Sequence, residues 1–325
     1  MRAAVYERYG PPEVVTVTEV PRPEPRENQI LVRVHASTIT AGDYRARSLD
    51  LPPGFGWLGR LMFGLKRPRQ PILGTEVSGV VEVVGDGVDR WHVGQPVVAL
   101  SDAAMGCHAE YLCLRQDGAI AAKPESLSFA EAASLPFGGT TSLHFLRKGG
   151  VKAGDRVLVN GASGAVGTAC VQLARSMGAE VTGVCSGRNG DLVRSLGAER
   201  VIDYTREDFT AIGETWDVIV DTVGTANYRR SKNSLAADGR LLLVFATLPD
   251  MLRAPLVGLT SRRKAIPGVA MGTAEDVREL VRLAESGELQ PVVDRTWPLE
   301  RIVEAHRYVD TGRKRGSVVI TMIDE

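Results

Sequence analysis

Three absences bound this 325-residue chain before any motif is weighed. Cysteine is scarce: Cys107, Cys113, Cys170 and Cys185 contain no CxxC pair, which argues against a disulfide framework or a zinc ribbon. Thiols lying on or beside apolar stretches suit a reducing compartment. Neither sign of charge prevails: basic and acidic residues number 39 each, so no overall field recruits nucleic acid or an anionic membrane. No apolar run approaches the ~20 residues of a membrane span, and there are no internal repeats or low-complexity segments. The opening MRAAVYERYG goes straight into strand-like sequence with no space for a leader, so a cytoplasmic location is expected. What is present is ordinary soluble composition, 44% hydrophobic and 24% charged, with room for two domains.

The informative stretch is DRVLVNGASGAVGTACVQLARSMGAEVTGVCSGR, Asp155 to Arg188. An apolar run, Val157 to Val159, stops at Asn160 and is followed by Gly161, Ala162, Gly164 and Gly167. Val166, Cys170, Leu173, Ala174 and Met177 then recur at helical spacing, Gly178 ends the helix, and Val181 to Val184 start a second strand. This is a parallel βαβ unit, the setting in which a glycine motif acquires meaning. Glycines let the backbone turn sharply and bring N–H groups against a pyrophosphate, where the helix N-terminus adds partial positive charge. The second strand ends in Cys185-Ser186-Gly187-Arg188, where an NAD-specific fold places Asp or Glu for the ribose hydroxyls. Ser186 removes a charge that would repel a 2′-phosphate, and Arg188, with Asn189, can bind that phosphate. NADPH is therefore expected over NADH; the alternative is that Arg188 is a solvated surface charge.

Taken in order, residues 2–36 read as short strands between Pro and Gly turns, and His35 to Arg45 leave the sheet for a loop or short helix. Leu49 to Pro71 is apolar but broken by Pro and Gly, which fits either a flap over a pocket or packing against the neighbouring domain. Further strands are expected at Val77 to Val84, Pro96 to Leu100 and Ala109 to Leu114, then helices at Phe129 to Leu135 and Thr141 to Arg147. Beyond Arg188, strands at Arg200 to Ile202, Trp216 to Asp221 and Gly239 to Phe245 alternate with helices at Asp191 to Leu196 and Tyr228 to Ala236, a doubly wound parallel sheet. Ala274 to Ser286 and Leu299 to Val309 read as helices, Pro291 to Trp297 and Gly316 to Ile320 as strands. The dinucleotide unit thus looks inserted into a β-rich one, and the cleft between them is the natural ligand site.

This order, carried by VRVHASTITAGDYRARS, GTEVSGVVEVVGDGVDRWHVGQPV, HAEYLCL, PFGGTTSLHFL, VLVNGASGAVGTACVQLA, SLGAERVIDYTREDF, WDVIVDTVG and LAADGRLLLV, resembles the medium-chain dehydrogenase/reductase superfamily over essentially the whole chain. Within it the chain is most similar to the zinc-free quinone oxidoreductase group. The resemblance implies a Rossmann domain, residues 123–270, inserted into a GroES-like catalytic domain, residues 1–122 and 271–325. The positions that match the catalytic zinc ligands of the superfamily's alcohol dehydrogenases are Thr40, Thr75 and Phe137, and no metal is expected on such a set. Cys107, His108, Glu110 and Cys113 are legal ligands, but a strand there would alternate their directions.

By the same resemblance Thr141 would pack against the nicotinamide and Gly164, Ala165 and Val166 would meet the pyrophosphate. Tyr204, Val223 and Gly224 would border the adenosine. Phe245 and Ala246 stand where relatives carry glycines. Asp43 matches a position that serves structure more than catalysis. Acceptors that take hydride unaided, quinones and α,β-unsaturated carbonyls, are the expected substrates, with Tyr44 the first choice of hydrogen-bond donor and Thr40 and Arg45 as further candidates. An NADPH-binding scaffold without catalysis and an enoyl-thioester reductase are the competing readings. Tyr228 and Lys232 spell the YxxxK pair of short-chain dehydrogenases, but behind a whole N-terminal domain they read as a chance match. Lys264 to Val269 sits where relatives have an edge strand that pairs across a two-fold axis, so a homodimer is expected, although Pro267 cannot donate to a ladder.

Overall fold

The computed structural model describes residues 1–323. Its chain begins with a small antiparallel pair, β1 (Arg2–Tyr6) and β2 (Val15–Glu19), and continues into β3 (Gln29–Ile39). Two helices, α1 (Ala41–Ser48) and α2 (Gly56–Phe63), precede β4 (Glu76–Val84), β5 (Pro96–Leu100), β6 (Tyr111–Arg115) and β7 (Ile120–Ala122). Helices α3 (Phe129–Ala133) and α4 (Pro136–Gly149) lead to β8 (Arg156–Asn160), α5 (Ala165–Ser176), β9 (Glu180–Cys185), α6 (Gly190–Ser195) and β10 (Arg200–Asp203). Then come β11 (Trp216–Asp221), α7 (Tyr228–Ser231), β12 (Leu235–Leu243), α8 (Leu248–Thr260) and β13 (Lys264–Pro267). The chain closes with α9 (Ala274–Glu285), β14 (Val293–Pro298), α10 (Ile302–Asp310) and β15 (Ser317–Thr321).

Strands β8 to β13 form one parallel sheet in the order β10-β9-β8-β11-β12-β13, with the order reversing beside β8. Ligands bind at such a switch point, outside the carboxyl ends of the strands. Central β8 is apolar on both faces, Val157, Leu158 and Val159 being fully buried, because helices cover the sheet on both sides. The other sheet runs β14-β15-β3-β4-β5-β7, with β6 also paired to β3. Its β15 lies antiparallel to β3, Val318 opposite Ile39, so the chain's last strand returns to one of its first. Helix α9 serves both units: Val277 packs with Val98, Leu100 and Ala121 of the β-rich unit, while Leu280, Leu283 and Ala284 belong to the core under β8.

Several expected elements move. The apolar 49–71 stretch contains a real helix, α2, bounded by Pro and Gly on either side. Helix α4 starts at Pro136, five residues before the expected start at Thr141, because proline at a first helical position needs no N–H partner. The helix expected over Tyr228 to Ala236 is one turn only, and β12 already begins at Leu235. The ladder skips from Trp216–Leu235 to Val218–Arg240, and Arg263 donates to the Leu235 and Ala236 carbonyls (3.0 Å each) beside that irregularity. Helix α8 had no sequence expectation. Pro255 interrupts its pattern, yet a Thr247–Asp250 capping box and Pro249 in the first turn start it well. The strand expected from Ala109 begins at Tyr111, Ala109 making only an isolated bridge with Ala3.

Candidate functional site

The glycine turn after β8 is shaped by close approach. Gly161 adopts φ +86°, and a Cβ there would lie 2.5 Å from both Thr222 Oγ1 and Val223 Cγ1. A Cβ on Gly167 would run into the Gly161 carbonyl oxygen, so only glycine lets α5 sit this close to the turn. Gly164 caps α5 without a side chain, leaving the first-turn N–H groups of Ala165, Val166 and Gly167 for an anion. These groups open into a cavity of about 820 Å³ between the two sheets. Gly161, Gly164, Ala165, Val166, Gly167, Ser186, Arg188, Tyr204, Val223 and Phe245 line it from the parallel-sheet side; Thr40, Tyr44 and Arg45 line it from the other. Thr141, Gly224 and Ala246 are not on its wall. Thr141 is half-buried in α4, Ala246 packs in the core beneath β12, and Gly224 (φ +82°) makes room for the Phe245 ring. Tyr228 and Lys232 do not reach the cavity either; the Tyr228 hydroxyl lies 3.4 Å from Ser261 Oγ.

At the far end, Ser186 is half-buried and Arg188 exposed, with no hydrogen bond or ion pair to Arg188 among the described residues. Asn189, buried at the cavity wall, donates its Nδ2 to Ser163 Oγ (3.0 Å). Two of the nearby carboxylates are already engaged, while Glu207 on the cavity wall has no hydrogen bond or ion pair to its carboxylate among the described residues. Asp203 accepts from Thr205 N (3.0 Å) and Oγ1 (2.8 Å), bonds that hold it below the usual carboxylate range, and Asp208 pairs with Arg230 (2.8 Å). The glycine cradle and the open helix start together fit the pyrophosphate of a dinucleotide.

At the near end, Thr40 caps α1. Asp43 Oδ2 accepts from Thr40 N and Oγ1 (2.7 Å each), and Oδ1 accepts from Gly74 N (2.7 Å). Fully buried and saturated, Asp43 fixes the start of α1. The Thr40 and Thr75 hydroxyls come within 3.3 Å of each other, with the Phe137 ring close by. The fold therefore gathers the three positions that a zinc site would use. Two neutral hydroxyls and a phenyl ring do not suit zinc, which takes thiolate, imidazole or carboxylate. No cluster of three or more His, Cys, Asp or Glu side chains fit for a metal occurs among the described residues. Cys107 and His108 are buried, His108 Nε2 lying 3.0 Å from the Thr38 carbonyl, while Glu110 pairs with Arg2.

Of the candidate donors, Tyr44 already donates its one hydroxyl hydrogen bond to Asp50 (2.5 Å), a bond that raises its pKa. Arg45 instead stacks its guanidinium 4.6 Å over the Phe245 ring, tying the two walls together, and burial lowers its pKa. Its N–H groups make no hydrogen bond among the described residues, so they remain available to an acceptor oxygen.

Two ionisable groups escaped the sequence reading. Glu76, 1% exposed, accepts from the Thr38 hydroxyl and from Phe137 N (2.6 Å), and burial pushes it up to about 7. Lys314, from the loop before β15, lines the cavity and donates to the Gly316 carbonyl (2.7 Å); burial brings it down to about 8, against the pull of Glu76. The cue for Glu76 was a lone charge heading the apolar strand EVSGVVEVV. Lys314, between Arg313 and Arg315, offered none. Because the carboxyl of Glu76 is raised in the fold, its neutral form is favoured there. Stability is then undisturbed below the unfolded value near 4.5 and falls as pH rises toward 7. Glu76→Gln should flatten that decline, removing on the order of 2 kcal/mol of it; urea unfolding at pH 5 and pH 8 checks this, and parallel pH profiles for both proteins would reject it.

Comparison with known proteins fits this geometry. Residues 26–136 match the alcohol dehydrogenase GroES-like domain, and residues 196–320 match a domain described as zinc-binding dehydrogenase. A quinone oxidoreductase of Sus scrofa is 31% identical over 97% of this chain and 96% of its own. An NADPH-dependent alkenal/one oxidoreductase of Arabidopsis thaliana chloroplasts is 29% identical over 98% of this chain and 79% of its own. The solved structure of the quinone oxidoreductase from Coxiella burnetii superposes with a TM-score of 0.88 at 32% identity, covering 99% of each chain. With its glycine cradle, its paired sheets and relatives of this likeness along its whole length, the chain belongs to the medium-chain dehydrogenase/reductase superfamily, in the quinone oxidoreductase-like group.

Proposed function

We propose that this chain uses NADPH to reduce quinones or α,β-unsaturated carbonyls without a metal. The observation that carries the reading is one cavity with an unpaired arginine at each end, Arg188 toward the adenosine and Arg45 at the gathered Thr40, Thr75 and Phe137. The nicotinamide, when bound, supplies hydride to a carbon that conjugation has already made electrophilic. The backbone N–H groups of Ala165, Val166 and Gly167 hold the pyrophosphate, and Arg188 with Ser186 receives the 2′-phosphate. Val223 and Phe245 give the cavity wall apolar surface. Arg45 N–H groups donate to the acceptor oxygen where negative charge develops, held there by the Phe245 ring and by the Asp43-capped helix. The names of the pig and Arabidopsis relatives support the same acceptor classes.

The chain also fits a homodimer. β13 is an edge strand, and the neighbouring α8 exposes Leu252, Leu256 and Leu259 at 69%, 56% and 81%, a stripe at helical spacing that a two-fold mate would cover. The four free cysteines support a reducing, cytoplasmic setting, and no helix among the described residues is long and apolar enough to cross a membrane.

Arg188→Ala should weaken NADPH binding roughly tenfold or more while leaving NADH unchanged; calorimetry giving the wild type equal affinity for both coenzymes would sink the preference. NADPH oxidation with naphthoquinone, enone and enal panels should survive chelation. Arg45→Met should lower kcat by about 10²-fold with NADPH affinity intact; loss of activity to the chelator, or an unchanged kcat, counts against the mechanism. Sedimentation should show a dimer that Leu256→Asp with Leu259→Asp dissociates, and a monomeric wild type would reject that part.

A further inference from the structure

Helix α2 is built inside out for a water-facing helix. Its inner side is anchored: Gly59 leaves no space beside Leu51, Phe63 packs on the β-rich core, and the Tyr9 hydroxyl donates to the Gly64 carbonyl (2.8 Å). Its outer side carries Trp57, Leu58, Leu61 and Met62, exposed by 68%, 60%, 43% and 60%, with Leu65 just beyond at 52%. Positions i, i+1, i+4 and i+5 form one continuous helical face. Residues 54–71 contain no acid and four bases, Arg60, Lys66, Arg67 and Arg69. All four are exposed, and none forms an ion pair among the described residues. A chain with no net charge thus concentrates unpaired positive charge around its most apolar surface helix.

We propose that this face docks on an anionic lipid bilayer. Amphipathic segments that lie in the membrane interface combine Trp and Leu on one side with Lys and Arg at the headgroups, and eight residues are far too few to cross it. A second copy is the poorer occupant, because a two-fold contact would set this basic rim against itself. The segment is rooted at the mouth of the cavity: Asp50 accepts a hydrogen bond from the Tyr44 hydroxyl, and the Pro53 carbonyl accepts from Leu248 N (3.0 Å), close to Phe245. Docking therefore turns the mouth toward the bilayer, and, resting on the function proposed above, the acceptors it favours are quinones or enones with long apolar tails held in the membrane.

The test is flotation of the full chain with vesicles of phosphatidylcholine alone or mixed with phosphatidylglycerol, alongside Trp57 emission. Binding should require the anionic lipid, fall with salt, shift the Trp57 emission to the blue, and weaken about fivefold for each base removed, as in Lys66→Ala or Arg67→Ala. Leu58→Ser with Met62→Ser should abolish flotation while leaving turnover of a short, water-soluble quinone unchanged. A vesicle-borne, long-tailed quinone should be reduced faster by the wild type than by this variant. Equal recovery with both vesicle types, or a change of oligomeric state in the variant, would overturn the proposal. Flotation that behaves as described, with no turnover of either quinone, would uphold docking and remove the reductase reading instead.

Discussion

A single helix shared by two hydrophobic cores holds the site together. Val277 of α9 is buried with the β-rich unit, and one turn later Leu280 is buried with the parallel sheet, where Gly139 is the residue that lets it in. Neither unit can shift without exposing apolar surface on the other, at about 25 cal/mol per Å². The return of β15 onto β3 adds a second tie, since the loop before it docks Gly316 N on the Ser163 carbonyl (2.8 Å), beside the glycine turn. The cavity between the sheets is therefore a consequence of topology, with walls set by residues more than 150 positions apart, as for Ser163 and Lys314.

The same seam explains how the helix carrying Arg45 is held. Asp43 saturates the start of α1, and near its end the fully buried Arg47 makes two bonds to Asp310 of α10 (2.8 and 2.7 Å). Between these anchors Arg45 reaches across to Phe245. Buried charges of this kind are costly unless paired, and removal of one partner leaves the other unsatisfied. Their contribution here is position: a guanidinium without a carboxylate partner is kept at the cavity wall.

The backbone geometry of the glycine turn was readable because it is local. Gly161, Gly164 and Gly167 answer to backbone constraints within a few residues, and Ser186 and Arg188 end the very next strand. The roles of Thr141 and Gly224 rest on resemblance alone: Thr141 lies four residues beyond the cavity-lining Phe137 on α4, and Gly224 makes room for the Phe245 ring. Tyr44 shows a limit of reading by residue type: its type suits a donor, yet its hydroxyl already donates to Asp50. Helix α8 was missed because Pro255 broke the period that reveals helices, although the Thr247–Asp250 cap was in plain sight.

Family resemblance marked Thr40, Thr75 and Phe137 as the positions where relatives hold a metal, but by itself the sequence determined the βαβ unit and the β-rich surroundings. Those features rest on backbone freedom, periodicity and side-chain chemistry, all of which act over short stretches. Only the tertiary structure decided which polar groups face the cavity with hydrogen bonds to spare, and that the 49–71 stretch turns its apolar side outward. Free donors and exposed faces are defined by what remains unsatisfied after distant segments have packed, and that remainder exists only once the chain has closed on itself.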